Sequence, residues 1–284
     1  MATSLLSYRD LLREERLPHI WCSGCGHGIV LQAVLKAIAA SGVDRDKVSI
    51  VSGIGCSSRA ALYADFDTLH TTHGRAIPFA TGLRLAKPEM TVVVLTGDGD
   101  CAAIGGNHLI HAARRNIDLT VVVFNNTVYG MTSGQYSPTT APGARATTAP
   151  EGAFEPAFDL CKLAEAAGAT YVARGTTYHA PQLASLIQRA IGNHGFSLVD
   201  CITGCPTCFG RRNRDMFGGK GDGVSMIEWQ RDHAVNVRAA ASMSPEQLEG
   251  KIVIGEFVNR PGVELTDRYA EFVRGHAEEG GGPL

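Results

Sequence analysis

Three sets of residues in this sequence have the types and spacing to do chemistry. The first is Gly97-Asp98-Gly99-Asp100 followed by the pair Asn125-Asn126, which sets Asp98 and Asn126 28 positions apart. A carboxylate, a neutral amide oxygen and a nearby backbone carbonyl suit a hard cation such as Mg²⁺, which keeps positions free for phosphate oxygens. The glycines beside Asp98 let the backbone approach a diphosphate, and a helix starting there offers it free N–H groups. The plainer alternative is a pair of polar turns capping a helix and a strand.

The second set is cysteine. Of eight, Cys101, Cys161 and Cys201 stand in helix or strand patterns among apolar neighbours and read as small core residues. Cys22, Cys25, Cys56, Cys205 and Cys208 lie instead in Gly- or Pro-rich loops, where backbone can fold around a metal. Four thiolates from such loops suit a tetrahedral zinc site or an iron–sulfur cluster. Zinc between Cys22/Cys25 and Cys205/Cys208 would bridge about 180 positions, a poor match to the short spacings of structural zinc sites. A thioredoxin-like pair needs a strand leading through CxxC into a helix, and the preceding RLPHIW is not strand-like.

The third set is basic. His27 and His73 sit in glycine-flanked loops, and Arg59 follows Cys56 by three positions. Arg75, in His-Gly-Arg, is read as pairing with an acid, in the site or at the surface. His108 and His111 lie one helical turn apart without a third ligand, and read as packing or surface residues.

The elements that must position these residues follow from periodicity. Val48–Ser52, Thr91–Leu95, Leu119–Phe124, Thr170–Ala173 and Ser197–Cys201 are β-branched, turn-bounded runs, as strands covered on both faces should be. Helical patterns at Gly28–Ala40, Ile77–Leu85, Ala102–Arg115, Ala157–Ala167 and Pro181–Asn193 alternate with them. The expectation is an α/β fold, a parallel sheet with helices on both faces. A right-handed crossover from the strand ending at Gly97 to the strand ending at Asn125 opens both ends on one sheet edge. Two stretches break the rhythm. Residues 129–156 form a long Gly-, Pro-, Ser- and Thr-rich loop, and residues 203–224 form a second that carries two cysteines beside a basic cluster. Loops of that length inside a compact domain are usually functional.

Composition excludes several classes. With 44% hydrophobic and 19% charged residues and a formal net charge of −2, the chain has no nucleic-acid footprint. No run approaches the ~18 apolar residues of a membrane span. The first twenty residues lack the apolar stretch of a secretory signal, so a cytoplasmic location with reduced thiols or a metal site is expected.

At these residues the chain resembles the thiamine diphosphate enzymes, whose motif is GDG followed after about twenty-five residues by NN. The match extends through WCSGCGHG (21–28), GIGCSSR (53–59), HTTHGRAIPFATG (70–82), YGMTSGQ (129–135), CPTCFGRRN (205–213) and IGEFVNRP (254–261). In that order these motifs resemble the β subunit of 2-oxoacid:ferredoxin oxidoreductases over nearly the whole chain. The resemblance implies thiamine diphosphate, Mg²⁺ and one [4Fe–4S] cluster. Asp98, Asn126 and the Val128 carbonyl would hold Mg²⁺. Gly55, His27, His73, Gly97, Gly99, Asp100, Gly130, Met131 and Thr132 would surround the cofactor. Cys22, Cys25 and Cys56 match the first three cluster ligands. Cys205, directly before Pro206-Thr207, is favoured as the fourth over Cys208.

The resemblance further implies CoA-dependent oxidative decarboxylation of a 2-oxoacid to acyl-CoA and CO₂, with electrons passing to ferredoxin, or carboxylation in reverse. An α subunit would supply the acid that activates thiamine, giving αβ or a doubled (αβ)₂. His27, His73 and Arg59 are the candidate catalytic residues. A guanidinium at Arg59 suits a distal carboxylate, which favours 2-oxoglutarate over pyruvate or branched-chain acids. Residues 1–202 would form the cofactor-binding α/β domain with its N-terminal cluster loops, and 203–284 a C-terminal extension with the last cluster cysteine. A non-redox thiamine decarboxylase and a zinc-stabilised binding protein are the competing readings.

Overall fold

The computed structural model describes residues 7–278. In chain order the helices and strands are α1 (His27–Ser41), β1 (Val48–Ser52), α2 (Ala60–Tyr63), β2 (Asp67–His70), α3 (Ala76–Ala86), β3 (Thr91–Gly97), α4 (Gly106–Arg115), β4 (Thr120–Asn125), β5 (Val128–Tyr129) and β6 (Gln135–Tyr136). They continue with α5 (Leu160–Ala166), β7 (Tyr171–Thr176), α6 (Ala180–Gly192), β8 (Ser197–Ile202), α7 (Gly223–His233), β9 (Ala234–Asn236), α8 (Val237–Ala240), α9 (Pro245–Leu248), β10 (Ile252–Asn259) and α10 (Leu265–Glu278).

Eight strands make one sheet in the order β2-β1-β3-β4-β8-β7-β10-β9. The first six run parallel, and β10 pairs antiparallel with β7. Alternation along the central strands assigns each side chain to a layer. Val93, Leu95, Val122 and Phe124 face a core completed by α1 and α6. Val92, Val94, Val121 and Val123 face the other, under α3, α4 and α5. Both faces are therefore dry, which is why these strands read as unbroken apolar runs.

Three features depart from the sequence expectation. Asp67–His70 forms an edge strand whose four residues are all exposed, so no burial period marks it. The expected helix Ala102–Arg115 divides into a wide π turn, Asp100–Ile104, and then α4. That turn closes on Gly105, where a Cβ would lie 2.3 Å from the Asp100 carbonyl. The segment after residue 202 supplies β9 and β10, so it extends the same sheet.

The ends of β3 and β4 are held together by their register, Gly97 opposite Phe124. Residues 129–156 cross that mouth as a short β5–β6 hairpin and a series of turns, with Ser137, Thr139 and Thr140 buried beneath. Among the described residues, no helix is long and apolar enough to cross a membrane.

Candidate active site

A cleft of about 210 Å³ lies at the carboxyl ends of β1, β3 and β4. Gly97, Asp98, Gly99 and Asp100 come from the end of β3, and Asn126 and Val128 through Thr132 from the segment after β4. His27 enters from the first turn of α1, Gly55 from the loop after β1, and His73 from the loop before α3.

Asp98 is 2% exposed, and burial pushes its carboxyl up to about 6, against hydrogen bonds from two hydroxyls. Ser137 donates to its Oδ2, and the Thr139 hydroxyl stands 2.8 Å from the same oxygen. A buried carboxylate with so little solvation is a strong site for a divalent cation, whose charge supplies what water cannot. Asn126 is buried at the cleft wall with its Oδ1 3.3 Å from the Val128 amide. Asn125 turns inward instead and donates to Asp200 at 3.0 Å. Asp200 in turn accepts from Arg174 at 2.8 Å, and Arg174 reaches Asp159 at 2.5 Å. The two adjacent asparagines thus serve opposite sides of the strand end.

Asp100 lines the cleft with its carboxylate fully engaged. It accepts from the Gly74 amide at 2.7 Å and the Thr96 hydroxyl at 2.7 Å, and lies 2.6 Å from His73 Nδ1. It therefore fixes the 73–74 loop over the opening. A Cβ on Gly53 would lie 2.0 Å from the same carboxylate, so glycine is required there.

His27 is 1% exposed and packs edge-on against Phe124. Burial lowers it to about 4, so the ring is neutral at ordinary pH. Its Nδ1 is buried with no hydrogen-bond partner among the described residues, and the ring lines the cleft. Gly99 packs directly against Tyr129, where a Cβ would lie 2.1 Å from the ring, whereas a Cβ on Gly55, also in the cleft lining, would meet no atom within 4 Å. The donor set, the orphaned nitrogen and the glycine cradle all suit a diphosphate carried on Mg²⁺.

A second cavity, of about 130 Å³, adjoins the first. All five loop cysteines line it: Cys22 and Cys25 before α1, Cys56 after β1, and Cys205 and Cys208 after β8. Trp21 braces this corner by donating its indole N–H to the Cys56 carbonyl at 2.7 Å. Burial pushes the Cys25 thiol up to about 11 and the Cys205 thiol up to about 12, and raises Cys56 as well. Each of the three is raised further by neighbouring thiols. Thiols crowded in this way ionise on binding a metal that replaces their protons. Cys101, Cys161 and Cys201 stay buried in the two cores.

The two cavities share a wall of Cys56, Asn126, Gly130 and Met131. At Gly130 an added Cβ would stand 3.7 Å from both the Cys56 and Cys205 sulfurs, and the Cys208 thiol donates to its carbonyl at 3.4 Å. Arg59 lines the thiol cavity, not the cleft, and is half-buried. Among the described residues Arg75 pairs with no acid: it lies 2.9 Å from His108 and donates to the Ile104 carbonyl. That contact also accounts for His108. Ser137 and Thr139 escaped the sequence reading; the run Ser-Pro-Thr-Thr at 137–140 was the available signal.

This sheet and cleft define a thiamine-diphosphate-binding domain. Residues 53–201 match the family described as "Thiamine pyrophosphate enzyme, C-terminal TPP binding domain". The chain is 54% identical to the 2-oxoglutarate synthase subunit KorB of Methanothermobacter thermautotrophicus over 94% of its own length and 91% of that protein's. It is 53% identical to the Methanocaldococcus jannaschii subunit of the same name over 92% and 95% of the two chains. A solved 2-oxoglutarate:ferredoxin oxidoreductase from Magnetococcus marinus, with 2-oxoglutarate, coenzyme A and succinyl-CoA bound, superposes with a TM-score of 0.84. That match is 33% identical and covers 98% of this chain and 92% of the other. The chain belongs to the β subunits of 2-oxoglutarate:ferredoxin oxidoreductase, the KorB family. It is one subunit of an oxidoreductase.

Proposed function

We propose that this β subunit, joined to α as αβ or (αβ)₂ in the cytoplasm, binds thiamine diphosphate with Mg²⁺ in the cleft and a [4Fe–4S] cluster in the thiol cavity. The reaction is oxidative decarboxylation of 2-oxoglutarate with coenzyme A to succinyl-CoA and CO₂, or its reversal, with ferredoxin as electron carrier. One observation carries this reading: the cation-type cleft and the sulfur-lined cavity share a single wall. The 2-oxoglutarate, coenzyme A and succinyl-CoA in the Magnetococcus marinus enzyme support the substrate assignment.

Thiamine diphosphate supplies the carbanion chemistry of decarboxylation, and the cluster accepts electrons singly. The chain's own residues bind and orient. Asp98, Asn126 and the Val128 carbonyl hold Mg²⁺, and Ser137 and Thr139 fix Asp98 through one oxygen. The neutral Nδ1 of His27 meets a polar group of the cofactor or substrate, and Asp100 holds the 73–74 loop at the opening through the Gly74 amide. Arg59, which makes no ion pair among the described residues, lines the thiol side of the shared wall, and the distal carboxylate of the substrate would reach it across that wall. Residues 1–202 act as the cofactor-binding domain, and the extension from 203 brings the fourth ligand, Cys205.

The test uses the co-expressed αβ complex. Serine at Cys22, Cys25, Cys56 or Cys205 should abolish iron content and absorption near 400 nm, while Cys208→Ser keeps both. Retention of the cluster in Cys205→Ser with its loss in Cys208→Ser would reassign the fourth ligand. A panel of 2-oxoacids with coenzyme A and a viologen acceptor should rank 2-oxoglutarate first. Arg59→Ala should lower the 2-oxoglutarate-to-pyruvate ratio of kcat/KM, and an unchanged ratio removes Arg59 from substrate recognition.

A further inference from the structure

A groove of about 740 Å³ opens on the outer side of the thiol cavity. Cys25, Pro206 and Thr207 line both spaces, so the thiols are separated from this surface by a single shared wall. The groove belongs to no part of the cleft.

Its rim carries Arg211, Arg214 and Lys220, all exposed and without ion pairs among the described residues. Arg212 stands beside them, exposed, and donates to the Cys208 carbonyl at 3.2 Å, which ties the basic strip to the cysteine loop. The acids nearby are Asp215, Asp222 and Glu228. Asp222 is occupied as the N-cap of α7, where its Oδ1 accepts from the Ser225 amide at 2.8 Å. The wall is apolar: Val224 is 67% exposed and Ile227 lies beside it. A basic rim around an apolar centre, in a chain whose net charge is −2, is a local reversal of sign. Such a surface suits a transient acidic protein partner, steered by charge and seated on a small dry contact.

We propose that this groove is the docking surface for an acidic iron–sulfur electron carrier of the ferredoxin type, seated against the Cys25 and Pro206–Thr207 wall. The proposal rests on the reading of the thiol cavity as a cluster site. Each docking event moves one electron from the reduced cluster of this subunit to the oxidised cluster of the carrier. No bond is made or broken and no proton moves in that step. Two such events drain one turnover, in which the 2-oxoacid is oxidised, CO₂ leaves, the acyl group joins the coenzyme A sulfur and the thiol proton is released.

The experiment compares the wild-type αβ complex with the double variant Arg211→Glu/Arg214→Glu and with the milder pair Arg214→Gln/Lys220→Gln. The probe is a purified acidic ferredoxin, and the first readout is its Kd for the complex between low and high salt. Charge reversal should raise the Kd about tenfold or more at low salt and flatten its salt dependence, with a smaller shift for the glutamine pair. Iron content, absorption near 400 nm and the rate with a viologen acceptor should stay within about twofold of wild type. Loss of iron across the wild-type and variant complexes would strike the cluster reading, whereas the ferredoxin Kd reports docking by itself. An unchanged Kd overturns the proposal. So does a raised KM for coenzyme A, which would make the groove a nucleotide site, or release of the α subunit, which would make it an interface within the complex.

Discussion

The hydroxyl of Thr139 lies 2.8 Å from the carboxylate of Asp98, reached across 41 positions of sequence. The Thr139 hydroxyl also stands 3.0 Å from Asn125 Oδ1, so one side chain of an irregular loop touches Asp98 at the cleft and the inward-turned asparagine behind Asn126. The loop is therefore part of the site's frame as well as its cover.

Thr139→Val keeps the shape and removes the hydroxyl. Partners one step behind a metal ligand typically govern affinity by about 10–100-fold. Titration of Mg²⁺ with thiamine diphosphate should show a loss in that range, and Thr139→Ser should restore most of it. Equal affinity in the valine variant would mean that Ser137 alone holds Asp98.

Arg174 is 13% exposed in its side chain between Asp200 and Asp159. Removing it leaves a carboxylate of 1% exposure without its cation, which costs about 3–5 kcal/mol. Urea denaturation of Arg174→Leu should show that loss at neutral pH. Burial alone would raise the Asp159 carboxyl, but the Arg174 charge outweighs it and holds the group below the usual range. Its stabilising share is thus complete above the unfolded carboxylate pKa and lost as pH falls through the depressed value. The gap between wild type and variant should narrow over that acid window, and a gap that stays constant would contradict the pairing.

Gly130 carries no positive φ, and a methyl there makes only ordinary 3.7 Å contacts. Gly130→Ala should therefore leave subunit stability within about 0.5 kcal/mol. The methyl nevertheless projects between the Cys56 and Cys205 sulfurs. Iron per subunit should fall by more than half at an unchanged Tm. Full iron with full stability would show that the cavity has room to spare.

Gly99 makes the opposite case. Its Cβ would overlap the Tyr129 ring at 2.1 Å, so Gly99→Ala must displace the ring or the turn. A cost of about 1–3 kcal/mol is expected, with weaker thiamine diphosphate binding on top. Calorimetry of the cofactor-free subunit separates the two effects, and wild-type stability would exclude the overlap.

How much of this was legible follows from how each residue signals. Asp98 and Asn126 announce themselves because each ends a buried, β-branched strand, and such strands must run to one edge. The five loop cysteines stand out from the three core ones by their glycine and proline neighbours. Ser137 and Thr139 flank Pro138 in a run that marks a loop but not its partner, which is fixed by the path of an aperiodic segment. The strand Asp67–His70 was hidden for the opposite reason: an edge strand with exposed faces shows no alternation. Arg59 reads from the sequence as a ligand for the substrate's distal carboxylate, yet a tight turn at Ser57–Arg59 carries it to the sulfur side. Spacing along a chain does not reveal on which side of a turn a long side chain emerges.

The thiols that meet in the second cavity come from before α1, after β1 and after β8, so nearly the whole sheet must be in place before they converge. A metal centre held there lacks its fourth ligand until β8 is in place, so no complete site forms early in synthesis. It must be delivered to a subunit that has already folded, through an opening bounded by Cys22, the most exposed of the five. Cells that make this protein faster than they deliver iron and sulfide should accumulate a folded, colourless subunit rather than an aggregate, and reconstitution should convert it without unfolding.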